Sequence, residues 1–353
     1  MKTIPGGTLR IIDANMNRIG EGLRVLEEFA RLSLNDTALT QQLKNMRHEM
    51  LNIDAMLQER LINARDSRGD VGADMEAAGQ ETPRHARESI VANARRVQES
   101  LRVMEETARA PDMPLDTDKY RKARFALYDM EKELLSKMLR RDKIKRLAGL
   151  YVIIDTAFLK GRRPAEVTAQ AIRGGAKVIQ LRDKEHDTRE LLSIAGELKE
   201  LCSKHNVLFI VNDSLDVALA ADADGLHVGQ EDLPVATARR LLPIDKILGV
   251  SARTIEEART AKSEGADYLG VGSMYATATK ESAEVVGPGK LKEIRQAVDL
   301  PIVAIGGINK DNLSEVLRAG ANSIAVISAI IGSANIEVAT RQLVQIIEEE
   351  KIE

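Results

Sequence analysis

Apolar residues fall three and four apart along the first part of the chain. Leu23, Leu26 and Ala30 form one such stripe, and Leu101, Met104 and Ala108 form another. That spacing predicts amphipathic helices with one face turned to a core. Polar, irregular stretches at 66–83 and 110–116 interrupt the pattern. From Leu147 the period changes. Eight short apolar runs appear: L-Y-V-I-I-D, K-V-I-Q-L-R, V-L-F-I-V-N-D, D-G-L-H-V-G, I-L-G-V-S-A, Y-L-G-V-G-S, P-I-V-A-I-G-G and S-I-A-V-I-S-A. Helical patterns follow most of them, as at 164–173, 188–204, 254–263 and 312–319, and Gly174, Gly265 and Gly320 close three of these helices. Nearly continuous apolar strands alternating with helices predict a parallel sheet. Eight units over ~205 residues predict a compact (β/α)8 TIM barrel, with a doubly wound open sheet as the alternative. The expected organisation is an all-α helical bundle over 1–145 and an α/β barrel over 146–353.

The helical half contains a repeat. N-M-N-R-I-G-E-G-L-R-V-L-E-E-F-A-R begins at Asn15, and N-A-R-R-V-Q-E-S-L-R-V-M-E-E-T-A-R begins at Asn93. L-K-N-M-R-H and Y-R-K-A-R-F extend the match loosely and pair Arg47 with Arg124. The reading is a duplicated helical hairpin with internal pseudo-twofold symmetry. Charges recur as well as apolar positions. Arg24–Glu28, Glu27–Arg31, Arg102–Glu106 and Glu105–Arg109 have the i,i+4 spacing that supports a helix, at about 0.2–0.5 kcal/mol each. That is little reason to keep them in register. Asn15, Arg18 and Glu21 would face Asn93, Arg96 and Glu99 across the dyad, which suggests a polar site between the copies.

Composition narrows the function classes. A chain of 353 residues suggests two domains, and 44% hydrophobic with 30% charged residues describes an ordinary globular protein. The net charge of −3 gives no reason to expect a nucleic-acid or membrane partner. One cysteine, Cys202, excludes an internal disulfide framework and a cysteine-rich metal cluster. There is no apolar leader or spanning run, so a cytoplasmic protein is expected. The sequence leaves a homo-oligomer open.

Barrels of this class carry their chemistry at the C-terminal strand ends. Gln180, Arg182 and Lys184 end the second run, and Asn212 and Asp213 the third. Asp232 follows the fourth, Ser251 ends the fifth, and Thr277, Thr279 and Lys280 follow the sixth. Gly306 and Gly307 end the seventh, Ile327 and Ser328 the eighth. Three cations with hydroxyls suit a diphosphate. Two carboxylates on neighbouring strands suit Mg²⁺. The glycine pair and the loop after strand eight form the usual phosphate position of such barrels. Each feature has a plainer reading: 182–185 as a solvated charge cluster, Asp213 as a turn residue, Gly306–Gly307 as a tight bend, His227 as a packed barrel histidine.

Q-L-R-D-K, V-N-D-S-L-D-V-A-L-A-A-D-A-D-G-L-H-V-G-Q-E-D-L-P, G-V-S-A-R-T, T-A-T-K, A-I-G-G-I and V-I-S-A-I resemble thiamine phosphate synthases in order and spacing. That family joins 4-amino-5-hydroxymethyl-2-methylpyrimidine diphosphate to 4-methyl-5-(2-hydroxyethyl)thiazole phosphate and releases diphosphate. The resemblance implies that Asp213 and Asp232 hold Mg²⁺, and that Arg182, Lys184, Ser251 and Lys280 bind the leaving diphosphate beside Asn212. It implies further that Gln180 contacts the pyrimidine and that Thr277 and Thr279 lie near the thiazole. Gly307, Ile327 and Ser328 would hold the thiazole phosphate. The implied reaction is dissociative, with the thiazole nitrogen capturing a pyrimidine-methyl cation. Ala276 stands where the family usually has proline, a change that would loosen the adjoining loop without removing a reacting group. Thiazole tautomerases share the barrel but do not need the full diphosphate and metal set.

R-I-I-D-A-N-M-N-R-I-G-E-G-L-R-V-L-E-E and A-R-D-S-R-G-D-V-G resemble a helical domain fused ahead of the synthase in some bacteria. That domain phosphorylates hydroxymethylpyrimidine phosphate with ATP, and its product would be the barrel's substrate. Candidate contacts are Asn15, Arg18, Glu21, Arg24, Arg47, Asp66, Arg68 and Asp70, with Asn93, Arg96 and Glu99 from the second copy. The sequence shows no phosphate-binding loop there, and an oligomerisation or regulatory module is the competing reading.

Overall fold

The computed structural model describes residues 4–66, 69, 85–111, 113–277 and 284–350. It divides into two compact units, Met1–Leu139 and Arg140–Glu353. The first contains α1 (Gly6–Glu28), which widens into a π turn over Phe29–Ser33, then α2 (Thr37–Leu51), α3 (Ala55–Asn63), α4 (Ala86–Ala108) and the start of α5 (Thr117–Arg146). The division falls inside α5, before the expected position at 145. The last turns of α5 belong with the barrel: the Arg140 guanidinium stands 2.8 Å from the Asp267 carboxylate, and Lys143 donates to the Asp245 carbonyl at 2.8 Å.

Duplication is visible in what each helix buries. Ile12, Ile19, Leu23, Leu26 and Ala30 are buried along α1 and its π turn, and Ile90, Val97, Leu101, Met104 and Ala108 are their counterparts on α4. Leu43, Met46 and Met50 of α2 match Tyr120, Ala123 and Leu127 of α5 in the same way. These faces share one apolar core. Side-chain caps set two of the starts: Asp36 accepts from the Leu39 N–H, and Asp54 from the Met56 and Leu57 N–H groups. Gly22 lets α1 approach α4 closely, since a Cβ there would lie 2.4 Å from Val97 Cγ2.

The second unit is a closed barrel of eight parallel strands in chain order. Its elements are β1 (Gly149–Asp155), α6 (Pro164–Arg173), β2 (Val178–Arg182), α7 (Thr188–Lys204), β3 (Leu208–Asn212), α8 (Leu215–Ala220), β4 (Gly225–Val228) and α9 (Val235–Leu241). They continue as β5 (Ile247–Ala252), α10 (Ile255–Ser263), β6 (Tyr268–Val271), α11 (Gly287–Ala297), β7 (Ile302–Ile305), α12 (Leu313–Arg318) and β8 (Ser323–Val326). Two final helices, α13 (Ser328–Ile331) and α14 (Ile336–Glu349), complete it. Each predicted apolar run forms a strand, and closure excludes the open-sheet alternative.

The strands read as continuously apolar because both faces are buried. Leu150, Val152 and Ile154 pack outward against helices, while Tyr151 and Ile153 fill the barrel with Val178, Ile210 and Tyr268. At the end of α6 the left-handed residue is Gly175 (φ +105°), not Gly174. Gly174 is needed for a different reason: a Cβ there would lie 2.4 Å from Thr340 of α14. Among the described residues no helix is long and apolar enough to cross a membrane.

Candidate active site

The C-terminal strand ends surround a cavity of about 440 Å³, a size suited to small molecules. Strand alternation carries the inner residues to it. On β2, Val178, Gln180 and Arg182 share a face, so the register that buries Val178 also delivers Gln180 and Arg182. Arg182 pairs in register with Asp155 at the end of β1 and bonds its carboxylate at 2.5 Å. Asp155 is 1% exposed, so it fixes one edge of the guanidinium.

The carboxylate pair sits on the loops after β3 and β4. Asp213 takes the left-handed conformation (φ +61°), which Asp tolerates better than most residues. Its N–H donates to the His227 carbonyl at 2.8 Å and ties the loop to β4. Its carboxylate meets the Lys184 ammonium and lies against Asp232. Asp232 accepts from the Gly229 N–H at 2.8 Å. Burial, and then Asp232, push the Asp213 carboxyl above its ordinary range against the pull of Lys184. Burial would raise Asp232 too, but hydrogen bonds from Asp213 and the Gly229 N–H, with the Lys184 charge, hold it below the ordinary range. The two carboxyls therefore act as one pair with more negative charge than Lys184 neutralises.

Gln180, Asn212, Ser251, Thr277, Gly307, Ile327 and Ser328 line the same cavity as Arg182, Lys184, Asp213 and Asp232. Thr279 and Lys280 lie outside the described residues. Gly306 (φ +100°) and Gly307 (φ +66°) both have left-handed backbone. A Cβ on Gly306 would lie 2.0 Å from Ser273 Oγ, so the bend after β7 admits no side chain there.

Asp155, Tyr151 and Tyr268 line the cavity and went unread in the sequence, and His227, read there as a packed barrel histidine, lines it with them. His227 is more than a packed ring, since it reaches Tyr268 Oη at 3.2 Å and Ser251 Oγ at 3.0 Å. Burial lowers its pKa to about 4, outweighing the attraction of Asp232, so the ring is neutral at physiological pH. Asp155 was detectable by the strand-end rule that found the others.

In the helical unit the charges close on one another. Glu27 is buried and accepts from Arg24 at 3.2 Å and Arg47 at 3.0 Å. Its copy Glu105 is buried too, and accepts from Arg102 at 3.2 Å, Arg109 at 2.8 Å and Arg124 at 3.0 Å. Of the four expected i,i+4 pairs, Arg24–Glu28, Arg102–Glu106 and Glu105–Arg109 form. Arg31 bonds Glu28 rather than Glu27, because Glu27 points into the core.

The expected dyad residues do not converge through their asparagines. Asn15 is buried and donates to the Ile11 carbonyl, and Asn93 donates to the Ser89 carbonyl, each within its own helix. Arg18, Glu21, Arg96 and Glu99 are exposed. The two motifs of this half do meet: Arg65 makes a two-pronged contact with Asp13 at 2.8 Å, and Arg10 bonds the Asp66 carbonyl at 3.0 Å. Arg68 and Asp70 lie outside the described residues.

Residues 150–330 match the family described as thiamine monophosphate synthase. A thiamine-phosphate synthase of Synechocystis sp. is 40% identical over 344 residues, covering 96% of both chains. The chain belongs to the thiamine monophosphate synthase family. It is accordingly an enzyme of thiamine biosynthesis with thiamine-phosphate synthase activity. Another family member, from Methanospirillum hungatei, is 52% identical over 195 residues, which is 55% of this chain and 95% of that one. A solved thiamine phosphate pyrophosphorylase from Pyrococcus furiosus has 44% identity and a TM-score of 0.55, covering 58% of this chain and 98% of its own. Members therefore exist both with and without the additional length seen here. Residues 10–133 match a second family, described as the ThiD2 family.

Proposed function

We propose that the cavity binds hydroxymethylpyrimidine diphosphate and hydroxyethylthiazole phosphate and couples them by a dissociative substitution. The carrying observation is the Asp213–Asp232 pair beside Lys184 and Arg182, two carboxylates and two cations at one strand-end cavity. The bond between the pyrimidine methylene carbon and the diphosphate oxygen breaks first, and its electron pair leaves with diphosphate. The thiazole nitrogen then donates its lone pair to the methylene carbon. No proton need be removed by the protein, so the demand on the site is to neutralise the leaving group and align the two partners.

The carboxylate pair fits Mg²⁺. Among the described residues no three His, Cys, Asp or Glu side chains group as a metal cluster. Asp213 and Asp232 would hold the ion, a hard cation suited to carboxylate and phosphate oxygens together. Bound there, the ion would supply positive charge to the leaving diphosphate. Lys184 and Arg182 bind the same group, with Lys280 as a third cation. Gln180 holds the pyrimidine, Thr277 and Thr279 border the thiazole, and Gly307, Ile327 and Ser328 hold its phosphate. A thiazole tautomerase would leave the carboxylate pair unused.

For the helical unit the proposal is ATP-dependent phosphorylation of hydroxymethylpyrimidine phosphate, supported by the second family match and by the barrel's need for that diphosphate. One observation favours the module reading: Arg24 and Arg47 are engaged by Glu27 rather than open to a ligand. Full-length Asp213→Ala, blocked at coupling, separates the two. Given pyrimidine monophosphate, ATP and Mg²⁺, it should accumulate the pyrimidine diphosphate. No diphosphate from this folded variant would leave the helical unit as a module.

A further inference from the structure

In the wall of the cavity, five side chains from five strands are joined in a line. Gln180 Nε2 donates to Tyr151 Oη at 2.8 Å. Tyr151 Oη lies 3.2 Å from Tyr268 Oη, Tyr268 Oη lies 3.2 Å from His227 Nδ1, and His227 Nε2 lies 3.0 Å from Ser251 Oγ. Gln180, Tyr151 and Tyr268 are at most 4% exposed, so each phenol must place its proton on a protein acceptor.

The space for this line is built into the strands. His227, Gly249 and Tyr268 are register partners on β4, β5 and β6. A Cβ on Gly249 would lie 2.4 Å from the Tyr268 hydroxyl and 2.5 Å from His227 Nδ1. A Cβ on Gly270 would lie 2.8 Å from His227 Cε1. Both strands forgo side chains where phenol and imidazole meet.

Counting protons gives the line a direction. With Gln180 donating, the Tyr151 proton goes to Tyr268, its remaining partner among the described residues. The Tyr268 proton then goes to His227 Nδ1. A neutral imidazole that accepts at Nδ1 carries its proton on Nε2 and donates it to Ser251 Oγ. Ser251 keeps its own proton free for a ligand. Turning the Gln180 amide over would let Tyr151 donate to its oxygen and free Tyr268 to donate to Tyr151; His227 would then carry its proton on Nδ1, and Ser251 would give its own to Nε2. An anion accepts hydrogen bonds and donates none, so only the first direction serves a diphosphate.

We infer that this line is a one-way hydrogen-bond chain, and that Tyr268 and His227 are positioning residues that turn the Ser251 hydroxyl toward the departing diphosphate. The chain also sets the other end: the Gln180 amide keeps its carbonyl oxygen and one N–H for the pyrimidine. The inference rests on the substrate assignment given under the proposed function, but its first test does not use substrate.

That test is the ¹⁵N spectrum of the histidine rings in the ligand-free full-length chain, with His227 assigned by loss of its signal in His227→Gln. The expected result at neutral pH is a protonated Nε2 and a bare Nδ1. A proton on Nδ1 overturns the direction, whatever the substrates prove to be. The second test is a mutant cycle. Tyr268→Phe should lower kcat about tenfold, less than the roughly 10²–10³-fold for removing a transition-state donor outright because Ser251 stays in place, and leave KM for the thiazole phosphate unchanged. Adding it to Ser251→Ala should cause no further loss, because Tyr268 acts through Ser251. Multiplicative losses would show that Tyr268 acts by another route and overturn its positioning role.

Discussion

At the barrel rim Asp213 and Asp232 stand together with Lys184 as their near cation. In the helical unit the buried Glu27 is met by two arginines, and its copy Glu105 by three. Both arrangements take carboxylates out of water, but the balance differs. Glu105 would be raised by burial, yet the Arg124 hydrogen bond and the charges of Arg102, Arg124 and Arg109 bring it below its ordinary range. Asp213 stays above its range because burial, and then the neighbouring Asp232 carboxylate, outweigh the pull of Lys184. A pair that the protein leaves short of positive charge marks a place for a cationic or cation-bearing ligand. A carboxylate saturated with arginines marks scaffold.

The largest break in this comparison should come from Asp213→Ala. Turnover of the pyrimidine diphosphate is expected to fall by roughly 10²–10³-fold, with the circular dichroism spectrum and melting temperature preserved. Unimpaired turnover would remove the carboxylate pair from the reaction. Glu27→Ala should do the reverse. It should cost about 3 kcal/mol, the low end for breaking a buried pair, because Arg47 keeps some solvent contact. Denaturant unfolding measures this, and the barrel's kcat should stay within twofold.

Asp155→Asn tests the buried ion pair at the rim. Loss of the charge that fixes Arg182 should raise KM for the pyrimidine diphosphate about fivefold, roughly 1 kcal/mol, with the fold intact. The acid profile separates the regions by sign. Glu105 is depressed in the folded chain, so its contribution is present above the ordinary carboxyl range near pH 4.5 and is lost as pH falls through the lower folded value. Glu105→Gln should flatten the unfolding profile below pH 4.5 and leave its slope near neutrality unchanged. The smallest effect belongs to Glu106→Ala. Its two arginine contacts are on the surface of α4, and the loss should stay within about 0.5 kcal/mol.

The two regions also differed in how much the sequence disclosed. Barrel strands were legible because parallel strands buried on both faces give unbroken apolar runs, and their ends give the rim by a rule of the fold. What stayed hidden lay inside those runs. Tyr151 and Tyr268 look like core residues in L-Y-V-I-I-D and Y-L-G-V-G-S, and their hydroxyl partners come from distant strands. In the helical unit the repeat gave the packing correctly, but not the fate of its charges. Glu27 was read as half of an i,i+4 pair with Arg31, although it lies four positions after Leu23 and three before Ala30, both buried. Position within the apolar stripe, rather than i,i+4 pairing, was the informative signal. The partner Arg47 comes from another helix, which local spacing cannot show.

The central claim is that the carboxylate pair and its neighbouring cations form a magnesium diphosphate site. Isothermal titration of the full-length protein with inorganic diphosphate, with and without Mg²⁺, addresses it most directly. Binding should require Mg²⁺ in the wild-type chain and be lost in Asp213→Ala and Asp232→Ala. Binding of equal strength without Mg²⁺, or undiminished in both variants, would contradict the account.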